Sequence, residues 1–105
     1  MNITKKGLLL FSSMKNVLEF RTLMCILANT QQDGSCHVIQ KDLAKLMGVH
    51  RQMVNRSIKS LTNLNIFSIE KKGTKRIYHI NPEYCRTNNN YHELQTNYEN
   101  YKVEA

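Results

Sequence analysis

The sequence predicts a mainly α-helical α+β fold with a small β-hairpin wing, the arrangement of a winged helix-turn-helix. Residues 40–47 and about 50–61 have the apolar spacing of amphipathic helices and are separated by Gly48. Two short strand-like segments follow around Gly73. With 105 residues, the chain is expected to form one domain with a thin core.

Residues 1–13 are predicted to form an N-terminal arm, in which residues 8–11 make a strand or an apolar arm. Ser12 or Ser13 can cap a helix that runs to about Asn29. Its apolar side chains recur at the spacing of a core-facing stripe and are Phe20, Leu23, Met24 and Leu27. A dimer interface is the alternative interpretation of this stripe.

The helix-turn-helix is predicted to follow a turn at Asp33-Gly34 and a short strand at residues 37–39. Its first helix covers residues 40–47 and ends at Gly48, where a left-handed C-cap residue belongs. The inward-facing side chains of this helix are Leu43, Ala44 and Met47.

The second helix covers about residues 50–61 or slightly more. Its buried face is predicted to carry Val54, Ile58 and Leu61. The N-cap positions of the two helices are expected to be occupied by Ile39 and His50, both poorer caps than Ser or Thr.

A basic β-hairpin is predicted next, with strands at residues 66–71 and 76–80 and a turn at residues 72–75. In the first strand Phe67 and Ile69 share one face, and Ser68 and Glu70 share the other. The proline of Asn81-Pro82 ends the second strand, because proline cannot continue a β-ladder. Residues 14–85 are therefore predicted to form the folded domain.

The remaining residues, 86–105, are polar, slightly acidic and rich in Asn and Tyr. Four side chains do recur at heptad-like spacing, namely Tyr91, Leu94, Tyr98 and Tyr101. Two such heptads are marginal alone, so this tail is predicted to be disordered or a frayed helix. A dimerising helix is the alternative.

Positive charge is concentrated in one part of the chain. Residues 43–82 contain eight basic residues and one acid, Glu70, which gives a net charge of +7. The preceding residues contribute +2 and the following ones −2. An excess confined to one segment is typical of a nucleic-acid-binding surface.

The second helix of a helix-turn-helix lies in the DNA major groove, and its first turns meet the base edges. Arginine can pair with guanine through two hydrogen bonds, and Asn or Gln can do so with adenine. The predicted contacts from this helix are Arg51, Gln52, Asn55, Arg56 and Lys59, of which Lys59 suits a phosphate. Gln40 and Lys41 begin the preceding helix, whose N–H groups and dipole also favour phosphate.

The hairpin is predicted to lie along the DNA backbone or to enter the minor groove. Its DNA-binding residues are expected to be Lys72, Thr74, Lys75 and Arg76. The alternative is an ordinary solvated charged face. Such faces usually mix positive and negative charges, whereas this one carries a single acid.

Other chemistry is not indicated. The Cys and His spacings match no zinc motif, and neither a phosphate-binding Gly loop nor a metal-binding pair of histidines around a hydrophobic residue is present. We therefore expect no enzymatic activity and neither metal nor cofactor. The longest apolar run, residues 23–28, is too short to cross a membrane, so a cytoplasmic protein without a membrane partner is expected.

Residues 38–84, VIQKDLAKLMGVHRQMVNRSIKSLTNLNIFSIEKKGTKRIYHINPEY, resemble the RepL-type replication proteins of Firmicute plasmids. The resemblance covers about residues 15–84 and includes the Gln-Lys-acid-Leu-Ala helix start, the Gly-turn and the basic hairpin. Its most particular element is the Tyr-x-Ile-Asn-Pro close at residues 78–82. The resemblance implies a cytoplasmic, plasmid-encoded protein that binds origin DNA and helps to start replication.

The leading hypothesis is a sequence-specific, double-stranded DNA-binding protein acting in plasmid replication initiation or its control. Host replication proteins would then be further partners, and a homodimer could span two half-sites. The first alternative is a winged-helix transcriptional regulator of a mobile element. The second is a protein-interaction module that presents a basic face to an acidic partner.

Overall fold

The structure, a computed structural model, describes residues 1–88 and 90–102, which form an α+β domain of five helices and two small antiparallel sheets. The helices are α1 (Lys5–Ser12), α2 (Val17–Ala28), α3 (Gln40–Met47), α4 (Arg51–Asn63) and α5 (Tyr91–Asn100). The strands are β1 (Asn2–Ile3), β2 (Ser35–Cys36), β3 (Phe67–Lys72), β4 (Lys75–Ile80) and β5 (Cys85–Arg86). None of these helices is long and apolar enough to cross a lipid bilayer.

The larger sheet has the strand order β2-β4-β3, and the smaller sheet pairs β1 with β5. Strands β3 and β4 form the predicted hairpin, in register from the Phe67–Ile80 pair to the Lys72–Lys75 pair. Only two residues, Gly73 and Thr74, are left for the turn, because β3 lies one residue later than predicted and β4 begins one residue earlier. The sequence predicted a short strand at residues 37–39, but β2 covers Ser35–Cys36 and ends before them.

The core lies between helices α2, α3 and α4 and the inner face of the larger sheet. The Phe67 and Tyr78 rings on neighbouring strands meet edge to face, with centroids 5.4 Å apart. The most deeply buried aliphatic side chains of this core are Leu23, Ile26, Leu43, Val54, Ile58, Leu61, Ile66 and Ile80. The hairpin is thus held by the same core as the three central helices.

The N-terminal residues differ from the prediction. Residues 8–11, predicted as a strand or arm, lie in α1, whose first turn is capped by Thr4 accepting a hydrogen bond from the Gly7 N–H at 3.0 Å. This helix is held to the domain by the buried Phe11 ring and by the Thr4 N–H, which donates to the Tyr84 carbonyl at 2.9 Å. A local cap and one buried aromatic side chain therefore make the segment helical.

Helix α2 begins later than predicted, because Asn16 rather than a serine caps it by accepting from the Glu19 N–H at 3.1 Å. The predicted apolar stripe is rotated. Leu23 and Leu27 are buried, whereas Phe20 is exposed and Met24 is half-buried. Thr22 and Ile26 complete the buried face. A face that includes a threonine is not visible from apolar spacing alone.

The C-terminal residues form a packed helix, α5, where a disordered or frayed tail was predicted; residues 89 and 103–105 of that tail lie outside the described residues. Leu94 and Tyr98 are buried, and the Tyr101 ring stacks on His79 with centroids 5.0 Å apart. Gly34 has φ +84°, and a Cβ there would lie 2.6 Å from Leu94 Cδ2, so the helix packs against backbone.

Helix α5 also explains why the hairpin lacks a solvent-exposed face at its base. His79 and Glu70, which point away from the core, are largely covered, and Ser68 is fully buried. The predicted alternation of apolar and polar residues is present in β3, but a second layer covers the polar side. Only the part of the hairpin beyond Glu70 therefore projects free of α5.

Candidate nucleic-acid interface

The turn between α3 and α4 fixes how the second helix is presented. Gly48 is left-handed, with φ 69° and ψ 34°, as the sequence predicted for a C-cap glycine. The Val49 N–H closes the turn by donating to the Ala44 carbonyl at 3.0 Å. Arg21 of α2, which the sequence analysis did not single out, donates from Nη2 to the Met47 carbonyl at 2.9 Å. The end of α3 is thus anchored to α2.

Helix α4 has the predicted division into two faces. Val54, Ile58 and Leu61 are buried, together with Ser57. The four exposed side chains among the predicted DNA contacts are Arg51, Gln52, Arg56 and Lys59, and Asn55 is half-buried. A polar stripe of amides and cations therefore faces away from the core along the helix.

Helices α3 and α4 both begin without a side-chain cap. Ile39 and His50 occupy the N-cap positions, as predicted, and neither side chain accepts a hydrogen bond there. The first turn of α4 also lacks an acidic residue and instead carries Arg51. A cation at the positive end of a helix dipole is unfavourable, so this helix start is less stable than one with a side-chain cap and an acidic first turn.

Two adjoining pockets bring the starts of α3 and α4 together with the hairpin. The larger, the hairpin pocket, has a volume of about 470 Å³ and is lined by residues 37–40, Arg51 and residues 74–78. The smaller, the helix pocket, has a volume of about 220 Å³ and is lined by Gln40, Arg51, Gln52, Asn55 and Arg76. Gln40, Arg51 and Arg76 line both, so the two pockets form one continuous groove.

Seven of the eleven predicted site residues thus line the groove, namely Gln40, Arg51, Gln52, Asn55, Thr74, Lys75 and Arg76. The other four lie on the surface outside it and are Lys41, Arg56, Lys59 and Lys72. Lys72 pairs directly with Lys75 across the hairpin. Like charges placed opposite each other weaken a hairpin, and a polyanion bound there would relieve the repulsion.

The cations of this surface have no acidic partner among the described residues. Among residues 1–88 and 90–102, the ion pairs are Lys6 with Glu83 and His79 with Glu70, each at 2.9 Å, and neither includes a cation of this surface. Glu70, the single acid of the basic segment, is therefore engaged by a histidine beneath α5. The positive potential of the groove and hairpin is left uncompensated by the part of the protein that the structure describes.

Buried polar atoms lie in the wall of the groove. The side chain of Gln40, at the start of α3, is not exposed as a phosphate contact would be, because the hairpin folds over it and leaves Gln40 only 7% exposed. Its Nε2 lies beside the Tyr78 hydroxyl, and these two buried atoms have no other hydrogen-bond partner; Asn55 Oδ1 also makes no hydrogen bond. Burial raises the pKa of the Tyr78 phenol, and the nearby Gln40 amide partly opposes that increase.

Sequence reasoning missed His37 and Tyr78 as groove residues. The Ser35 hydroxyl lies 3.1 Å from His37 Nε2 and helps to orient that ring. From the sequence, Tyr78 was assigned only to the second strand of the hairpin. The position of its hydroxyl depends on how the hairpin meets α3, which no local sequence pattern reveals.

The cysteine and histidine side chains form no alternative site. All three cysteines are free, and burial raises the pKa of the Cys85 thiol to about 12. Among residues 1–88 and 90–102, no group of three or more His, Cys, Asp or Glu side chains is placed to hold a metal ion.

Comparisons of the chain with protein-family models and with curated proteins find no match.

Proposed function

We propose that the protein is a winged helix-turn-helix that binds double-stranded DNA in a sequence-specific manner. The observation that carries this proposal is the continuous groove between the starts of α3 and α4 and the hairpin. It combines amides that can read bases with cations that have no acidic partner among the described residues. The protein acts by binding and performs no covalent chemistry.

In this proposal α4 lies in the major groove, and Arg51, Gln52 and Asn55 meet the base edges. Farther along the same exposed face, Arg56 and Lys59 contact phosphates. The uncapped start of α3 and the exposed Lys41 face the DNA backbone, whereas the Gln40 side chain is buried behind the hairpin.

The hairpin turn carries the second set of contacts. Lys72, Thr74, Lys75 and Arg76 are all exposed at its tip and flank the DNA backbone or the minor groove. The covered base of the hairpin, where Glu70 binds His79, holds this tip in a fixed position relative to α4.

The biological role we propose is plasmid replication initiation or its control, in the cytoplasm and in contact with host replication proteins. The resemblance of residues 38–84 to RepL-type proteins supports this role, and the same surface would serve a transcriptional regulator. Supplying the protein in trans to a plasmid that carries only the origin distinguishes the two. Maintenance of that plasmid supports initiation, and loss of the plasmid supports a regulator.

A homodimer on two half-sites belongs to the same proposal. Leu8 and Leu9 of α1 are exposed and remain available to a second copy. The alternative interface in the tail is weaker, because Leu94 and Tyr98 are already buried within one chain.

Selection of binding sites from random duplex DNA at about 150 mM salt tests sequence readout directly, since non-specific affinity is already reduced there. We expect a discrete motif. Asn55→Ala should then cost about 1–3 kcal/mol at one base position and little at the others. The matched control is Asn63→Ala, an exposed asparagine in the last turn of the same helix.

Lys75→Ala should instead weaken binding to all sequences alike and lower the salt dependence by about one counterion. Lys15→Ala, an exposed lysine outside the basic segment, is its control. Equal losses on every sequence for Asn55→Ala and Lys75→Ala would contradict base readout. Such a result would favour a basic module that binds DNA without sequence preference or binds an acidic protein.

A further inference from the structure

One edge of β4 is open beside the hairpin pocket. Strand β2 pairs with β4 through Ser35 and Cys36 and then ends. The pocket is lined by residues 37–39 and by residues 74–78, so it opens where these two segments separate. Toward the hairpin tip, β4 therefore continues without a neighbouring strand on the β2 side.

The alternation of backbone hydrogen bonds identifies the groups that lie on this open edge. The Ile80 N–H donates to the Gly34 carbonyl, next to β2, at 3.1 Å. Because successive residues of a strand direct their backbone groups to opposite sides, those of Tyr78 and Arg76 point the same way as those of Ile80. Tyr78 pairs with Cys36, but Arg76 lies beyond the end of β2. The Arg76 N–H and carbonyl therefore have no backbone partner among the described residues.

An open strand edge can bind a second chain in an extended conformation. Its unpaired N–H and C=O groups continue the β-ladder with a peptide that lies beside them. Arg76 is exposed and lines the pocket, so an incoming peptide can approach this edge. The DNA backbone does not present alternating N–H and C=O groups, so DNA binding does not require the open edge.

The walls around the edge indicate the chemistry of such a peptide. Three exposed cations without an acidic partner among the described residues, here called the rim cations, are Arg51, Lys75 and Arg76. Apolar surface comes from Val38, which is half-buried, and from Ile39, which is 60% exposed. Acidic side chains complement the rim cations, and apolar side chains complement the other wall.

We infer that the hairpin pocket binds an extended acidic segment of a partner protein, which adds a short strand to the open edge of β4. The backbone of the segment pairs with Arg76, its acidic side chains lie beside the rim cations, and its apolar side chains contact Val38 and Ile39. Arg51 and Arg76 are also proposed DNA contacts, so the segment and DNA exclude each other. This competition rests on the proposed function, whereas the peptide binding does not.

Selection from random hexapeptides displayed on phage, at about 150 mM salt, tests the chemistry of the partner. We expect acidic and apolar residues to be enriched together. The selected peptide is then synthesised in two forms, N-methylated on alternate residues so that each form lacks the N–H donors of one strand edge. Because one edge faces β4, the two forms should differ about tenfold in affinity, measured by fluorescence anisotropy.

NMR locates the peptide on the sheet. The Arg76 backbone amide should shift and exchange more slowly with solvent when the selected peptide is bound. The Lys71 amide is the matched control, because Lys71 lies opposite Arg76 in the hairpin and its backbone points to the outer edge of β3. Equal responses of the two amides would indicate charge attraction alone and would refute the added strand.

Ile39→Ser tests the apolar wall. We expect about tenfold weaker peptide binding, because the variant removes apolar surface from the pocket. Its free energy of unfolding should not fall, since serine at this position can cap α3. The matched control is Leu46→Ser, which replaces a 69% exposed side chain of α3 outside the pocket and should leave peptide binding unchanged. Equal peptide affinities of the two variants would refute the assignment of the wall.

The inference is wrong if no acidic peptide is selected, or if the two methylated forms bind equally. DNA binding without peptide binding would refute it and leave the proposed function, and slower exchange of the Arg76 amide with DNA alone would assign the pocket to DNA. Peptide binding by a protein that binds no duplex would refute the proposed function and leave the inference. Where both bind, the peptide should release the duplex, and simultaneous binding would refute the competition.

Discussion

Replacing Leu94 by alanine tests whether α5 is an integral part of the domain. Leu94 is 1% exposed and contacts the Gly34 turn, and with Tyr98 it supplies the buried side chains of α5. Deleting a buried leucine side chain costs about 2–5 kcal/mol, depending on how far the surroundings relax. Because α5 follows the core elements and can shift or undock, we expect about 2–3 kcal/mol.

Urea unfolding followed by circular dichroism measures this loss in the free energy of unfolding. The control is Leu46→Ala, because Leu46 lies on α3, is 69% exposed and should change stability by no more than about 0.5 kcal/mol. A loss for Leu94→Ala as small as that of the control would mean that α5 is not packed on the hairpin. The disordered or frayed tail that the sequence predicted would then be the correct description.

Three further variants test local features. His50→Ser should raise the free energy of unfolding by about 0.5–1 kcal/mol, because α4 would gain a side-chain cap; an unchanged value in urea unfolding would contradict an uncapped start. Gly48→Ala should cost about 1 kcal/mol from backbone strain alone, since no atom lies within 4 Å of the new Cβ, and a much larger loss by the same measurement would indicate a clash. The Ser35 hydroxyl, which donates to Asp33 Oδ1 at 2.6 Å, is the largest cause of the lowered pKa of that carboxyl. The ionised Asp33 carboxylate therefore stabilises the fold above its unfolded-state pKa, and this stabilisation is lost as the pH falls through the lower pKa of the folded state. Asp33→Asn should then lose less stability than the unmodified protein between pH 7 and about pH 3, measured by urea unfolding at each pH.

Helices α3 and α4 and the turn between them were predictable because their signals are local. Apolar side chains recur with helical spacing in α3 and α4, and Gly48 lies where a left-handed residue ends the first helix. The exposed face of α4 follows from the same periodicity. These elements required no knowledge of the rest of the chain.

The terminal helices were not predictable, because tertiary contacts stabilise them. In α1 the consecutive apolar residues 8–11 hide the helical period, and Leu8 and Leu9 remain exposed. In α5 a polar sequence becomes a helix because Leu94 and Tyr98 find a complementary surface on the hairpin. Propensity and periodicity carry no information about such a surface.

The candidate site was predictable only in part, because some of its features depend on tertiary contacts. The residues of α4 and the hairpin tip follow from sequence position, but the burial of Gln40 does not. A polar residue at the start of a helix is usually exposed, and here β4 folds back and places Tyr78 beside it. This buried contact between Gln40 and Tyr78 exists only in the folded chain.

The pairing of β1 with β5 has a consequence for the order in which the chain folds. Asn2 pairs with Arg86 and Ile3 with Cys85, so this two-residue ladder joins segments that are more than 80 residues apart in the sequence. Closing a loop of that length costs about 2 kcal/mol more entropy than closing one of ten residues, and such a short ladder returns little. We therefore expect β1 to pair with β5 after the hairpin has formed. During synthesis, this pairing becomes possible only once residues 85–86 have left the ribosome.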